Sequence, residues 1–181
     1  MSTERDVADI LDEAYRRGYE YLTRWRACAP TTFAAIMDTL GYSEDPVVEG
    51  IWRATIGLTG GTGNMAIGTC GALAGAAAAI SYSFAYSKED LEEDIMKMLS
   101  VNGVIAEVGN KLLEKYGHTT CQEIQFHHWG KSYRFTNPEA LMEFARLSGD
   151  QKATPECQEV TGDVAKWAVE RILHYNRHFL K

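Results

Sequence analysis

Apolar residues recur at spacings of three and four along most of this chain, which is the period of amphipathic α-helices. The clearest segment covers residues 7–25 and predicts a long first helix. Similar segments lie at 33–40, 47–52 and 160–173, and none shows the strict alternation of a half-buried strand. The pattern predicts an all-α fold, a compact bundle of about six or seven helices, in one domain over residues 1–181.

One stretch departs from this amphipathic pattern. Residues 57–68 are rich in glycine, and a helix of small residues is predicted to follow over about 70–86. Gly71, Gly75 and Ala79 share one face of that helix, so another backbone can approach it closely. We expect this helix at the centre of the bundle or, through the same face, at an interface between two copies of the chain.

Capping signals divide the second half of the chain. One continuous helix is predicted over about 87–116, with Gly117 in the position where glycine commonly ends a helix. A short helix is predicted at Cys121, and a loop over 126–135 is expected to follow it.

Two pairs of histidines are candidate ligands. His127 and His128 lie in the predicted loop among aromatic and basic residues, where one could bind a metal, a partner or an anion. His174 and His178 have the i, i+4 spacing of a two-histidine metal face. A polar loop for the first pair, and a favourable contact with the helix dipole for the second, are the simpler interpretations.

Charge and hydropathy exclude several classes of protein. The formal net charge of −7 argues against non-specific binding to nucleic acid, which needs a basic face. The polar N-terminus shows no secretory signal, and no run of about 18 apolar residues predicts a membrane span. We therefore expect a cytoplasmic protein, in which thiols stay reduced and structural disulfides are uncommon.

The four cysteines carry the strongest chemical signal, because each lies where a helix is predicted to begin. They are Cys28, Cys70, Cys121 and Cys157. A helix N-terminus presents free N–H groups and partial positive charge, which lowers the pKa of a thiol placed there. Four such positions together predict a thiolate site for redox or metal chemistry.

Other interpretations of these features stay open. The cysteines have no C-x-x-C spacing, so small buried core residues are an alternative. The glycine-rich loop is not followed by Gly-Lys-Ser/Thr and does not belong to a βαβ unit, which argues against a nucleotide site. Packing, or a close approach to the cysteines, explains the loop better.

The run Cys70-Gly71-Ala72-Leu73-Ala74-Gly75 has the form CGAxxG, with one cysteine upstream and two downstream. On these residues the chain resembles the C_GCAxxG_C_C family of redox-active proteins, over about residues 21–167. The resemblance implies that Cys28, Cys70, Cys121 and Cys157 are the family's four signature cysteines. Gly60, Gly61 and Gly63 fit its glycine-rich approach to the motif, and with Gly71 they are candidate cofactor-binding residues. The span between the last two cysteines is longer than in the shortest family members.

The resemblance implies a helical domain with a redox or metal function. A related domain occurs in a split-Soret type of multihaem cytochrome together with an iron–sulfur centre, although this chain has no haem-attachment motif. The first hypothesis is therefore an electron-transfer protein in which Cys28, Cys70, Cys121 and Cys157 bind an iron–sulfur cluster, [2Fe–2S] being the expected type.

Two further hypotheses follow from the same residues. In a thiol–disulfide oxidoreductase, Cys70 would be the nucleophile and another cysteine would resolve the mixed disulfide. A binding or assembly protein would use the small-residue helix as its interface. We expect a redox partner protein, no nucleic acid and a homodimer, the last because tyrosine and tryptophan are common at interfaces.

Overall fold

The computed structural model describes residues 6–148 and 154–181. These residues form nine α-helices and two short 3₁₀ helices, at Ile56–Leu58 and Arg177–Phe179. In chain order the α-helices are α1 (Val7–Trp25), α2 (Cys28–Thr39), α3 (Pro46–Thr55), α4 (Gly71–Phe84), α5 (Lys88–Glu93), α6 (Ile95–Tyr116), α7 (Cys121–Trp129), α8 (Pro138–Ser148) and α9 (Pro155–Tyr175). The described residues contain no strand, only an isolated bridge, so the all-α prediction is confirmed.

Two boundaries differ from the prediction, and one of them adds a helix. The helix expected over 87–116 is two helices, since the Asp94 side chain accepts a hydrogen bond from the Met96 N–H and caps a new helix there. The loop expected over 126–135 begins later than predicted. Helix α7 continues to Trp129 and ends at Gly130, whose φ of +66° fits a glycine C-terminal position.

Helix α9 lies at the centre of the bundle, where it packs against α1, α2, α4 and α6. Large side chains from these helices fill the interior. Those that are almost fully buried include Phe33, Ile36, Met37, Ile80, Leu112, Val164 and Ile172. The described part of the chain has no helix long and apolar enough to cross a bilayer.

The small-residue helix α4 is central, as expected, but its small face is not free for a second copy. A Cβ atom on Gly75 would lie 2.1 Å from the Ala29 carbonyl oxygen, so α2 already occupies this face. Ala72, Ala76 and Ala79 are buried as well. The prediction that this face forms an interface between two copies is therefore wrong, because α2 of the same chain packs against it. The homodimer itself stays a prediction.

Candidate thiol site

The cysteines lie at helix starts, as the capping pattern predicted. Cys28 and Cys121 are the first residues of α2 and α7, and Cys70 occupies the N-cap position of α4. Cys157 lies in the first turn of α9, after Thr154 and Pro155. All four are free thiols.

Cys28 lies directly against the start of α4. A Cβ atom on Gly71 would come within 2.2 Å of the Cys28 sulfur, so only glycine leaves room for the thiol. Burial raises the pKa of Cys28, and the backbone N–H groups of Gly60, Ala29 and Gly71 partly offset this rise. The glycine-rich loop and the CGAxxG motif therefore supply donors to one sulfur.

The glycine-rich loop also joins α4 to α7 through backbone hydrogen bonds. The Cys121 N–H donates to the Gly68 carbonyl at 2.9 Å, and the Gln122 N–H donates to the Ala66 carbonyl at 2.7 Å. The Cys70 N–H donates to the Thr119 carbonyl at 2.8 Å. These bonds hold the N-terminal ends of α4 and α7 side by side.

The candidate cofactor-binding glycines have different surroundings. Gly60 and Gly71 lie close enough to Cys28 for their backbone N–H groups to lower its pKa. Gly61 has a φ of +72° and packs against the backbone of Ala66 and Gly68, which shapes the loop. Gly63 is exposed and has no atom within 4 Å of an added Cβ. Only Gly60 and Gly71 of these four are brought to a cysteine.

The four thiols are electrostatically coupled. Burial raises the pKa of Cys70 well above its ordinary value, and charge on Cys28, Cys121 or Cys157 raises it further. Burial also raises the pKa of Cys157, with added contributions from Cys28 and Cys121. Burial, followed by Cys28, raises the pKa of Cys121 to about 11. Because such effects act between nearby charges, the thiols of Cys70, Cys121 and Cys157 lie within electrostatic reach of Cys28.

The sequence-based expectation of lowered thiol pKa values is wrong for the protein without a bound group. The backbone N–H groups at the helix starts do lower the pKa of Cys28 and Cys70, but desolvation outweighs them. A thiolate buried without a compensating cation is costly, so the proton is retained.

Polar side chains lie beside the sulfurs of Cys121 and Cys157. The Gln125 amide N–H₂ donates to the Cys121 sulfur at 3.2 Å, and the Gln125 carbonyl oxygen accepts from the Tyr133 N–H at 2.6 Å. The second bond fixes which end of the amide faces the thiol. The hydroxyl of Thr154 lies beside Cys157 and lowers its pKa, although this buried hydroxyl makes no hydrogen bond of ordinary geometry within the described residues.

Sequence reasoning missed Gln125. The signal that was available is its spacing, because Gln125 lies four residues after Cys121 and therefore on the same face of α7. The assignment of 126–135 to a loop hid this helical relationship.

The candidate histidines do not form a metal site within the described residues. His128 is half-buried on α7, packs against the Tyr116 ring with centroids 5.6 Å apart, and has its pKa lowered by burial. His174 packs edge-on to Tyr175. Within residues 6–148 and 154–181, no three or more His, Cys, Asp or Glu side chains have the spacing to hold a metal ion.

Comparison with known proteins points to one family. A family model described as "Putative redox-active protein (C_GCAxxG_C_C)" matches residues 26–171 of the chain. No curated protein shows significant similarity to it, and no solved structure does. The matched span contains the glycine-rich loop and all four cysteines, so the resemblance seen in the sequence is confirmed.

Proposed function

Since the chain belongs to the C_GCAxxG_C_C family of redox-active proteins, we propose that it transfers electrons through an iron–sulfur cluster bound by its four cysteines. The observation that carries this proposal is that the starts of α2, α4 and α7, each with a free thiol, lie against one another through the contact of the Cys28 sulfur with Gly71 and the backbone hydrogen bonds of Cys70 and Cys121. Thiols that served only as core residues would have no reason to lie at neighbouring helix starts.

The residues fit a thiolate-bound group in their chemistry. Cysteine sulfur is the standard ligand of iron–sulfur clusters, which supply one-electron redox chemistry when bound. Backbone N–H groups at Cys28 and Cys70, an amide at Cys121 and an unpartnered hydroxyl at Cys157 surround the sulfurs. Such donors stabilise the anionic sulfur of a bound ligand and tune its potential.

The raised pKa values of these thiols favour a role as ligands of a metal group over a role as free nucleophiles. A thiol with a raised pKa stays protonated near neutral pH and reacts slowly. A coordinated metal displaces that proton because its positive charge stabilises the thiolate. The absence of ligand spacing among the described residues means that the sulfurs must draw together on loading.

The four free thiols also allow a second candidate function, a thiol–disulfide oxidoreductase. A thiolate of the chain would attack a disulfide of a partner protein and release one partner thiol. A second cysteine would then attack the mixed disulfide and release the other. The chain's two thiols would lose two electrons and two protons to form a disulfide, and the partner disulfide would be reduced. In this role Cys28, whose pKa four backbone N–H groups lower, is better placed than Cys70 to ionise.

Anaerobic reconstitution with ferrous iron and sulfide separates the two functions. For the cluster we expect a brown protein with iron and acid-labile sulfide in near-equal amounts and a reversible one-electron reduction. A colourless protein that reduces a model disulfide and forms an internal disulfide would support the second function instead. A colourless protein without exchange activity would contradict both.

A further inference from the structure

A cavity of about 320 Å³ lies between α1, α2 and α3. Its lining residues come from α1, α2, α3 and the turn before α3, and they are Trp25, Ala34, Asp38, Ser43, Val48, Glu49 and Trp52. The two lining residues on α2, Ala34 and Asp38, follow Cys28 by six and ten positions, which corresponds to about 9 and 15 Å along the helix axis. The cavity is therefore separate from the thiol site.

Aromatic rings form two walls of the cavity. The Trp25 and Trp52 rings lie 5.8 Å apart at an interplanar angle of 74°, so they meet as a corner. Tyr21 lies one turn before Trp25 on α1 and packs against its ring, with centroids 4.7 Å apart. Ala34 and Val48 add buried apolar surface. Ring faces of this kind attract cations through their quadrupoles.

A partly buried carboxylate completes the cavity. The Tyr21 hydroxyl donates to Asp38 Oδ2 at 3.0 Å, and Arg17 lies 3.7 Å from the same oxygen. Asp38 Oδ1 accepts no hydrogen bond from any residue of the described ranges. The Asp38 side chain is only 19% exposed, so its charge is poorly solvated. A second carboxylate, Glu49, also lines the cavity and is paired with Arg53 at 2.9 Å.

We propose that this cavity binds a small methylated ammonium ion, with its charge between the two indole rings and Asp38. The rings and the apolar floor suit methyl groups, which need no hydrogen-bond acceptor. The carboxylate supplies the opposite charge, and the volume fits a compact ligand. The site is independent of the thiol chemistry, since none of its lining residues is a cysteine.

The test compares choline with 3,3-dimethyl-1-butanol, its uncharged analogue of the same shape, by calorimetric titration of the full chain. We expect saturable choline binding at least about tenfold tighter than binding of the alcohol. Asp38→Asn, which keeps an acceptor for Tyr21, should weaken choline about tenfold and leave the alcohol unchanged. Glu92→Gln, which removes one exposed carboxylate on α5, should change neither.

Equal affinity for choline and the alcohol would overturn the proposal, because the cavity would then recognise the shape of the ligand and not its charge. Absence of saturable choline binding in the wild-type protein would overturn it as well. Since both of these measurements use the wild-type chain, they decide the matter even if Asp38→Asn does not fold.

Discussion

The two halves of the thiol site are held in different ways. Cys28 and Cys70 lie where α2 packs closely on α4, and Gly75 brings the two backbones into contact there. Cys121 instead begins α7, which the backbone hydrogen bonds of the glycine-rich loop and the Gln125 side chain hold in place. Close packing resists displacement, whereas a short helix on a glycine-rich loop can shift at lower cost. We therefore expect the α7 half to move when the sulfurs draw together around a bound group.

Substitution of Gly75 is the strongest test of the packed half. Gly75→Leu places a side chain against the Ala29 backbone, which cannot move aside, and should lower the free energy of unfolding by about 3 kcal/mol or prevent folding. Gly103→Ala on α6 is the matched control, because no atom lies within 4 Å of its added Cβ. It should raise stability by about 0.5–1 kcal/mol. Urea denaturation measures both, and an unchanged midpoint for Gly75→Leu would show that α2 and α4 are not in contact.

A smaller substitution, at Gly71, should disturb the thiol site while the helical fold is retained. Gly71→Ala puts a methyl group 2.2 Å from the Cys28 sulfur and should displace that thiol, at a cost of about 1–3 kcal/mol. Iron uptake on reconstitution should fall several-fold while the helical circular dichroism is retained. Gly109→Ala, whose nearest neighbour is Leu73 at 3.7 Å, should keep full iron uptake. Wild-type uptake by Gly71→Ala would contradict the placement of Cys28.

Alkaline titration should distinguish Cys121 from Cys70 in the metal-free protein. The pKa of Cys121 is raised to about 11, from about 8.5 in an unfolded chain, so the fold favours the protonated thiol. Its contribution to stability is full below about pH 8.5 and is lost as the pH rises through about 11. Cys121→Ser should flatten this part of the curve of unfolding free energy against pH.

Cys70→Ser should leave the decline near pH 11 in place, because burial and Cys28, and not Cys70, raise the pKa of Cys121. A decline that is the same in both serine variants and the wild type would show that neither thiol titrates with the fold.

The smallest expected effect concerns the Gln125 side chain, which holds the Cys121 sulfur. Gln125→Met removes the donor to Cys121 and the acceptor of the Tyr133 N–H, so the pKa of Cys121 should rise further and stability should fall by about 1 kcal/mol. The alkylation rate of Cys121 against pH, followed by mass spectrometry, measures the shift. Gln122→Met is the control, because Gln122 contributes its backbone N–H to the loop. Identical profiles for Gln125→Met and the wild type would mean that the amide does not stabilise the thiolate.

The sequence was sufficient to predict most of the helix starts, because Asp45, Thr120 and Pro155 give local signals that need no tertiary contact. It also identified the α4 face as a position of close packing. It could not say which helix fills that face, since the partner, α2, is fixed only by the folded chain. The choice between core and dimer interface was therefore open.

Other features lay beyond the sequence for the same reason. The raised thiol pKa values depend on burial, which the local N-terminal pattern does not reveal. The corner formed by Trp25 and Trp52 joins two helices that are distant along the chain. The boundary at Asp94 was missed because the apolar period continues across it, and only the cap geometry shows the break.

The central claim is that four cysteines form one ligand site, and comparison of the four single Cys→Ser variants tests it most directly. Each variant is reconstituted anaerobically beside the wild type, and iron and acid-labile sulfide per chain are measured together with helical circular dichroism. We predict a several-fold loss of both iron and sulfide in at least three of the variants, with Cys70→Ser among them, and helical content unchanged. Wild-type iron and sulfide in all four variants would contradict the account, because the cysteines would then be core residues that only happen to meet.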